Sequence, residues 1–523
     1  MNCPYRLMHL LTSQQARDLD ALTIKKGTPS SVLMENAGRG VFKFIRKHFK
    51  QIKNKKFVVV CGPGNNGGDG FVVARYLARS HAQVNVFIMG HPQKLKGDSL
   101  ENFIKLKKTR VQIQLLSPKL LSQSIQTDCL VDAVFGTGLS RNISGFPQKL
   151  IEWMNAQEAF KISIDIPSGL DANTGMALGS AFKAHHTVTF GFPKCGFFMQ
   201  EASSYVGHLN IVDIGLLDFS HHPLQLITKK DIQNLLKQRK ALTHKGTYGH
   251  AMTIACSENK MGAGLMSSHA ALRAGAGLST LILPAAAFGH IDTNKPEIMF
   301  EPIGAPTQKA FKKSDVPIVL KKIKQASVVA LGPGLGMAPS TIGFVWQLVS
   351  QIKQPLIIDA DGLNAVSKNP RILLRRKNKT TVLTPHPAEM GRLIGKTTAF
   401  VQKNRRTVAR QLAQKFGAIV LLKGFRSLVA FPNGNIWVNP TGNASMAVAG
   451  QGDVLCGLYA GLVSEFGPCD EVFLLGCFLH GLVGDLLAKK GARVVLPTDI
   501  IQNLHLGWRF LKKRSPVLET EFY

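Results

Sequence analysis

At 523 residues the chain is too long for a single hydrophobic core, and its 45% hydrophobic content is ample for two packed interiors. No apolar run reaches the roughly 18 to 20 residues of a membrane span, and the N-terminus lacks the apolar stretch and cleavage site of a signal peptide, so a cytoplasmic protein with no membrane partner is expected. Sixty-four Lys and Arg against 32 Asp and Glu leave a charge of +32; with no zinc-finger spacing or basic–aromatic pattern beside it, a dedicated nucleic-acid reader is disfavoured.

In chain order, residues 57–61, 84–89, 129–134, 162–166 and 187–190 read as strands buried on both faces, separated by helical patterns such as 70–80. The alternation pauses near 217–224 and resumes with strand-like segments at 251–255, 279–283, 327–331, 356–359, 381–383 and 419–422. A hairpin follows, 427–431 and 436–438, around Pro432-Asn433-Gly434-Asn435. The expected architecture is α/β: a Rossmann-like doubly wound sheet over 1–222, then a second α/β domain over 223–523. Eight scattered cysteines with no C-x-x-C pair fit reduced structural thiols.

The first half carries a glycine loop, Gly62-Pro63-Gly64-Asn65-Asn66-Gly67-Gly68-Asp69-Gly70, between a strand and a helix. Gly62, Gly64 and Gly67 satisfy G-x-G-x-x-G. The acidic residue a nicotinamide dinucleotide fold needs after its second strand is missing, since that strand ends Ile88-Met89-Gly90-His91. An ordinary dehydrogenase is therefore disfavoured. Two further loops fall at the same sheet edge, Asp132-Ala133-Val134-Phe135-Gly136-Thr137-Gly138 and Asp165-Ile166-Pro167-Ser168-Gly169. Asn66, Asp132 and Ser168 would present hard oxygens for a cation; Asp at a strand end also caps loops, which is the plainer alternative.

The second half carries the most informative stretch, Thr441 to Asp453, a Gly/Ala-rich loop that ends in Gly452-Asp453 and enters an apolar helix. Unpaired amides and the positive end of the helix dipole favour phosphate there. Asp453 inside such a site reads as a base that takes a proton from a hydroxyl about to attack a phosphoryl group.

The N-terminal half resembles the NAD(P)H-hydrate epimerases through Leu33-Met34-Glu35-Asn36-Ala37-Gly38, the Gly64 to Gly70 loop, Asp132 to Gly138, Asp165 to Gly169 and Thr189-Phe190-Gly191-Phe192-Pro193-Lys194. The C-terminal half resembles the ribokinase-like ADP-dependent NAD(P)H-hydrate dehydratases through His244-Lys245-Gly246, Gly332-Pro333-Gly334-Leu335-Gly336, Asp359-Ala360-Asp361-Gly362-Leu363-Asn364, Thr384-Pro385-His386-Pro387-Ala388-Glu389, Lys423-Gly424 and Gly450 to Asp453. The resemblance implies repair of hydrated NADH and NADPH: epimerisation of the R and S hydrates, and dehydration of the S form with ADP converted to AMP and phosphate. It implies that Asn65, Asn66, Gly67, Gly68, Asp69, Gly136, Thr137, Gly138, Leu139, Ser140, Arg141, Asn142 and Asp165 hold the hydrate in the epimerase site. Asn66, Asp132 and Ser168 would coordinate potassium, and Asp165 and Lys194 are the candidates for proton transfer. In the dehydratase, Gly336, His386 and Asp453 would contact the hydrate. Lys423, Gly424, Phe425, Arg426, Ser427, Gly450 and Gly452 would contact the adenine nucleotide, with magnesium as its ion. Small-molecule partners, no specific nucleic acid, no membrane and a homo-oligomer are expected.

Some positions depart from the family pattern. Ser445 and Ala449 stand where glycines are usual, Ala255-Cys256-Ser257 where Gly-Gly-Ser is common, and Phe425-Arg426 replaces small residues. An extra Cβ can block a positive φ or crowd a phosphate. Two alternatives stay open: a small-molecule kinase that keeps the phosphate on its product, and a scaffold whose basic surface meets RNA. The first has no need of the glycine-loop domain in front of it; intact Asn66, Asp69, Asp132, Asp165 and Ser168 speak against the second.

Overall fold

A computed structural model describes residues 8–199, 201–218, 224–236, 239–289, 291 and 296–512. These divide into two compact units, 8–218 and 224–512. Residues 219–223 of the expected boundary lie outside the described residues.

The first unit is built on seven parallel strands: β1 (Lys56–Cys61), β2 (Gln83–Ile88), β3 (Gln112–Leu115), β4 (Cys129–Ala133), β5 (Phe160–Ile164), β6 (His186–Phe190) and β7 (His208–Val212). Their order is β3-β2-β1-β4-β5-β6-β7, so the winding reverses between β1 and β4. Alternation within β1 shows why the central strands read as unbroken apolar runs. Phe57, Val59 and Cys61 enter one buried cluster with Val41, Val73 and Leu106, while Val58 and Val60 enter another with Leu150, Ile151 and Trp153. Both faces are covered by helices, which is the doubly wound arrangement. β3 and β7 escaped the sequence pattern: β3 is a largely exposed edge strand, Gln-Ile-Gln-Leu, and β7 is only partly buried. Neither carries the apolar run that marks an interior strand.

The second unit holds a ten-stranded sheet: β8 (Leu224–Leu226), β9 (His250–Ile254), β10 (Leu278–Pro284), β11 (Met299–Ile303), β12 (Val328–Leu331), β13 (Leu356–Ile358), β14 (Thr381–Leu383), β15 (Ile419–Leu422), β16 (Leu428–Ala430) and β17 (Ile436–Val438). The order is β11-β10-β9-β12-β13-β14-β15-β16-β17-β8. The expected hairpin is present as β16 and β17, antiparallel around Gly434. β8 falls in the stretch that reads as a pause, yet it pairs in parallel with β17 and closes the sheet edge. Three residues are too few to show a period.

One face of this sheet carries helices Met261–Ala274, Gln451–Phe466, Asp470–Lys489 and Pro497–Lys512 around a single core. By length and composition alone Asp470–Lys489 could cross a membrane, contrary to the expectation that no such segment exists. Its residues 472–484 are buried in this core, which is why a continuous apolar helix is needed there. No disulfide forms among the described residues.

Candidate functional site

In the first unit the expected site residues collect at the carboxyl edge of the sheet, on the crevice where the winding reverses between β1 and β4. Such crevices are where doubly wound sheets bind ligands. Asn65, Asn66, Gly67, Gly68 and Asp69 open helix Asn65–Arg79 directly after β1. Gly136, Thr137, Gly138, Leu139, Ser140, Arg141 and Asn142 form the loop after β4, its outer end at Ser140, Arg141 and Asn142 exposed. Glycine is required where the two connections interlock: a Cβ on Gly67 would lie 2.0 Å from the Gly62 carbonyl oxygen, and one on Gly62 would lie 1.9 Å from that of Val134. Those are backbone collisions that no rotamer relieves.

Asn66 spans the crevice, donating through Nδ2 to the Phe135 carbonyl at 3.1 Å. Its Oδ1 is buried and takes no hydrogen bond among the described residues. Beneath it, Asp132 is fully buried on β4. Its carboxylate accepts from Ser168 Oγ at 2.6 Å, the Ser168 amide at 2.8 Å, Ser163 Oγ at 3.1 Å and the Val134 amide at 3.2 Å. Burial nonetheless pushes its pKa up to about 6. Ser168 Oγ in turn accepts from the Phe135 amide at 2.7 Å. Asn66, Asp132 and Ser168 are thus brought together, linked through Phe135.

Asp165 follows β5 with φ +64, a left-handed conformation uncommon outside glycine, though Asp adopts it more readily than most. Its Oδ1 accepts from Lys194 Nζ and, at 3.0 Å, from Thr189 Oγ1. Lys194 is 3% exposed; it is held beside residue 11 by a parallel bridge, which ties the chain's first described segment to the site. Burial first, then the charges of Asp165 and Asp20, push the Asp69 carboxyl well above the usual range. Burial also lifts Asp20, on helix Ser13–Lys25, to about 6 against the pull of Lys194. Motif reading passed over Asp20, and it included Thr189 only as the start of the motif that ends in Lys194. Their proximity is tertiary, because Asp20 lies in a plain amphipathic helix with no glycine signal beside it.

In the second unit, helix Gln451–Phe466 starts at Gly450, φ +93, and places Gln451, Gly452 and Asp453 in its first turn. Lys423 leaves the end of β15 and donates from Nζ to Asp359 Oδ1 at 2.6 Å, with Glu389 Oε2 at 3.8 Å. A Cβ on Gly452 would stand 3.1 Å from that Nζ and 3.5 Å from Asp359 Oδ2. The ammonium therefore sits at the amide end of the Asp453 helix. Burial, then the neighbouring Asp359 charge, pushes Asp453 up to about 6, with Lys423 opposing. Burial works against the Lys423 charge, but Asp359 and Glu389 together hold its pKa above the ordinary value.

His386 caps helix Pro387–Ile394: its Nδ1 accepts from the amides of Ala388 and Glu389 at 3.1 and 3.3 Å. That role leaves the proton of the neutral ring on Nε2, which lies 3.4 Å from Glu389 Oε1. Burial and the charge of Lys423 lower its pKa. Glu389 is itself buried and pushed up to about 7. The Gly336 amide donates to Asp361 Oδ2 at 2.9 Å, and Lys260 Nζ meets the same oxygen at 3.0 Å.

Of the expected nucleotide residues, Lys423, Gly450 and Gly452 meet at this helix end. Arg426 has another engagement. It adopts φ +52, donates to the Pro440 carbonyl that precedes the Thr441 loop, and stacks 4.9 Å from the Phe425 ring centre. Ser427 Oγ turns back to the Gly424 carbonyl at 3.0 Å. Ser445 and Ala449 do not take a positive φ, so their side chains cost no backbone strain. Ser445 Oγ instead donates to Asn443 Oδ1 at 2.5 Å. The strain falls on the other departures, Cys256 at φ +73 and Arg426. Asp359 and Glu389 were visible only as members of motifs. The residue pattern has no way to show that both converge on one lysine.

Residues 251–506 match the NAD(P)H-hydrate dehydratase family model, and residues 30–196 match the model of the YjeF-related protein N-terminus. A bifunctional NAD(P)H-hydrate repair enzyme of Moorella thermoacetica is 37% identical over 518 residues, 97% of this chain and 98% of that protein. The enzyme of the same description from Escherichia coli K12 is 31% identical over 504 residues, covering 94% of this chain and 91% of its own. Among solved structures, an ADP/ATP-dependent NAD(P)H-hydrate dehydratase from Bacillus subtilis, co-crystallised with ATP and Mg2+, is 27% identical, with a TM-score of 0.46 over 55% of this chain and 98% of its own.

Proposed function

Because this chain belongs to the family of bifunctional NAD(P)H-hydrate repair enzymes, we propose that residues 8–218 interconvert the R and S hydrates of NADH and NADPH, and that residues 224–512 dehydrate the S hydrate with ADP. The observation that carries the second activity is the meeting of Asp453, Lys423 and the Gly450–Gly452 amides at one helix end.

Hydroxide is a poor leaving group and phosphate a good one, so the hydrate hydroxyl is first phosphorylated. Asp453 takes the hydroxyl proton, the oxygen attacks the β-phosphorus, and the bond to the bridging oxygen breaks to release AMP. The helix amides and Lys423 meet the charge that builds on the phosphoryl oxygens. The ring nitrogen then pushes electrons, the C–O bond breaks to release phosphate, and loss of a ring proton restores the double bond. With Nδ1 occupied by the helix amides, the Nε2–H of His386, beside Glu389 Oε1, is the donor that would reach the hydrate. Among the described residues no group of three His, Cys, Asp or Glu is placed to hold a metal. A magnesium ion would therefore be held chiefly by the phosphates of ADP, as that ion commonly is.

In the first unit the hydroxyl and the ring nitrogen share one carbon, so the hydroxyl can leave as water and return to the opposite face. Asp69, whose carboxyl burial raises well above the usual range, is the candidate proton donor to the departing hydroxyl. Asp165 and Lys194 form the charged pair that orients the departing and returning water. The partnerless Asn66 Oδ1, the buried Asp132 carboxylate, Ser168 Oγ and the Phe135 carbonyl are hard oxygens that fit potassium. When bound, that ion would offset the Asp132 charge and order the loops after β1, β4 and β5.

Recovery of NADH absorbance from a mixed R/S hydrate preparation tests the reading. With ADP, recovery beyond the S fraction is expected, after subtraction of spontaneous epimerisation. Asp453→Asn is expected to lower the rate on the order of 100-fold or more. Recovery without any nucleotide, or undiminished recovery in the variant, rules out this mechanism.

A further inference from the structure

Asp359 is 1% exposed and directly follows β13, as the residue preceding helix Ala360–Ser367. A carboxylate at that position ordinarily caps the helix amides, but here it makes no such bond. Its Oδ1 lies 2.6 Å from Lys423 Nζ instead. The following residue, Ala360, is turned into a left-handed conformation, φ +48, an arrangement that surrounding structure must enforce. One oxygen of this carboxylate thereby meets the lysine, while the other lies 3.5 Å from where a Cβ on Gly452 would stand, beside the first turn of the Asp453 helix. A lysine stem has four rotatable bonds, and without a partner its ammonium would not be fixed at any one point.

We propose that Asp359 is a positioning residue for the nucleotide phosphates: it acts through Lys423, holding the ammonium at the amide end of helix Gln451–Phe466 so that amides and ammonium grip one phosphate together. The proposal rests on ADP being the co-substrate of this site. Other titratable groups share the field of Lys423: Glu389 and Cys456, Asp453, His386 and His480. Glu389, at 3.8 Å, is too far to replace the Asp359 hydrogen bond. Removing the Asp359 charge leaves burial to act on the lysine with less opposition, so its proton is lost at lower pH.

Calorimetric titration of the full chain with ADP tests this, since it needs no hydrate. Wild type is expected to bind ADP with a Kd nearly level from pH 7 to 9. Asp359→Asn is expected to weaken binding at least tenfold at pH 7.5 and to weaken further toward pH 9. Asp359→Glu should restore much of the loss. A lone buried lysine could unfold Asp359→Asn, so the pair Lys423→Met and Asp359→Asn/Lys423→Met is measured as well. Equal ADP affinity in those two is expected if Asp359 acts only through Lys423. Asp359→Asn with wild-type, pH-independent affinity would overturn the proposal, as would a double variant tenfold weaker than Lys423→Met alone. A wild type that fails to bind ADP would instead overturn the nucleotide reading itself.

Discussion

Asp453 shows how a single residue is made both useful and costly. Its carboxylate sits in the first turn of a buried helix, near Asp359. Burial raises its pKa to about 6 from an unfolded value near 3.8, so the folded state holds its proton more tightly than the unfolded chain does. The sign follows: stability from this group is complete below about pH 4 and is lost as pH rises through 6. At pH 8 the charged form weakens the fold by on the order of 2 kcal/mol, taking about 1.4 kcal/mol per unit and a discount for partial exposure. Asp453→Asn is therefore expected to raise Tm at pH 8 while abolishing dehydration. Melts at pH 8 and pH 4 check this, because the gain should shrink at the lower pH. The motif singles out Asp453 as the candidate base, but its shift comes from burial and then from Asp359, which lies 94 residues earlier and arrives only through β13.

At the scale of elements, the helix that carries Asp453 is held by close approach rather than by large side chains. A Cβ on Gly457 would lie 1.9 Å from the Ser267 carbonyl oxygen of helix Met261–Ala274, and one on Gly461 would lie 2.2 Å from that of Ala271. Gly457→Ala improves intrinsic helix propensity by up to about 1 kcal/mol. The backbone collision outweighs it, since overpacking costs about 1 to 3 kcal/mol and here also shifts the helix. The expected outcome is a Tm lower by roughly 2 to 10 °C, at about 2 to 4 °C per kcal/mol, and a loss of ADP-dependent recovery with epimerisation retained. In the first unit, strand β6 begins with His186, whose ring centre is 4.9 Å from that of His208 and 5.6 Å from that of His48. Burial, then the neighbouring histidines, lowers its pKa to about 4. A histidine held neutral contributes stability above its unfolded value of about 6.5, and that stability is lost as pH falls toward 4. His186→Phe should accordingly raise Tm relative to wild type at pH 5 by more than at pH 7.5. An equal effect at both values would show that protonation is not responsible.

At the scale of the whole molecule, the charge of +32 makes the surface attractive to any polyanion. Nonspecific RNA binding is expected, with affinity falling linearly on logarithmic axes as salt rises and with no preference among sequences. Filter binding with two unrelated RNAs at several salt concentrations checks this. A strong preference for one of them at physiological salt would instead support a dedicated RNA function.

The amino-acid sequence by itself determined the α/β class, the central parallel strands and the three glycine-bearing loops, because each is written in local chemistry. A strand buried on both faces must be apolar throughout, and a loop at a helix start must carry glycine where a Cβ would come within about 2 Å of another backbone oxygen. The edge strands β3, β8 and β11 were not legible, since an exposed or three-residue strand has no burial pattern to display. Of the candidate sites, the loop residues and Asp453 could be read directly. The tertiary structure alone decided that Lys423 is shared between Asp359 and Glu389, that Asn66 Oδ1 takes no hydrogen bond among the described residues, and that Asp20 lies in the field of Asp69, Asp165 and Lys194. Distance and burial between residues far apart in the chain set those charges, and neither quantity exists until the sheets have closed.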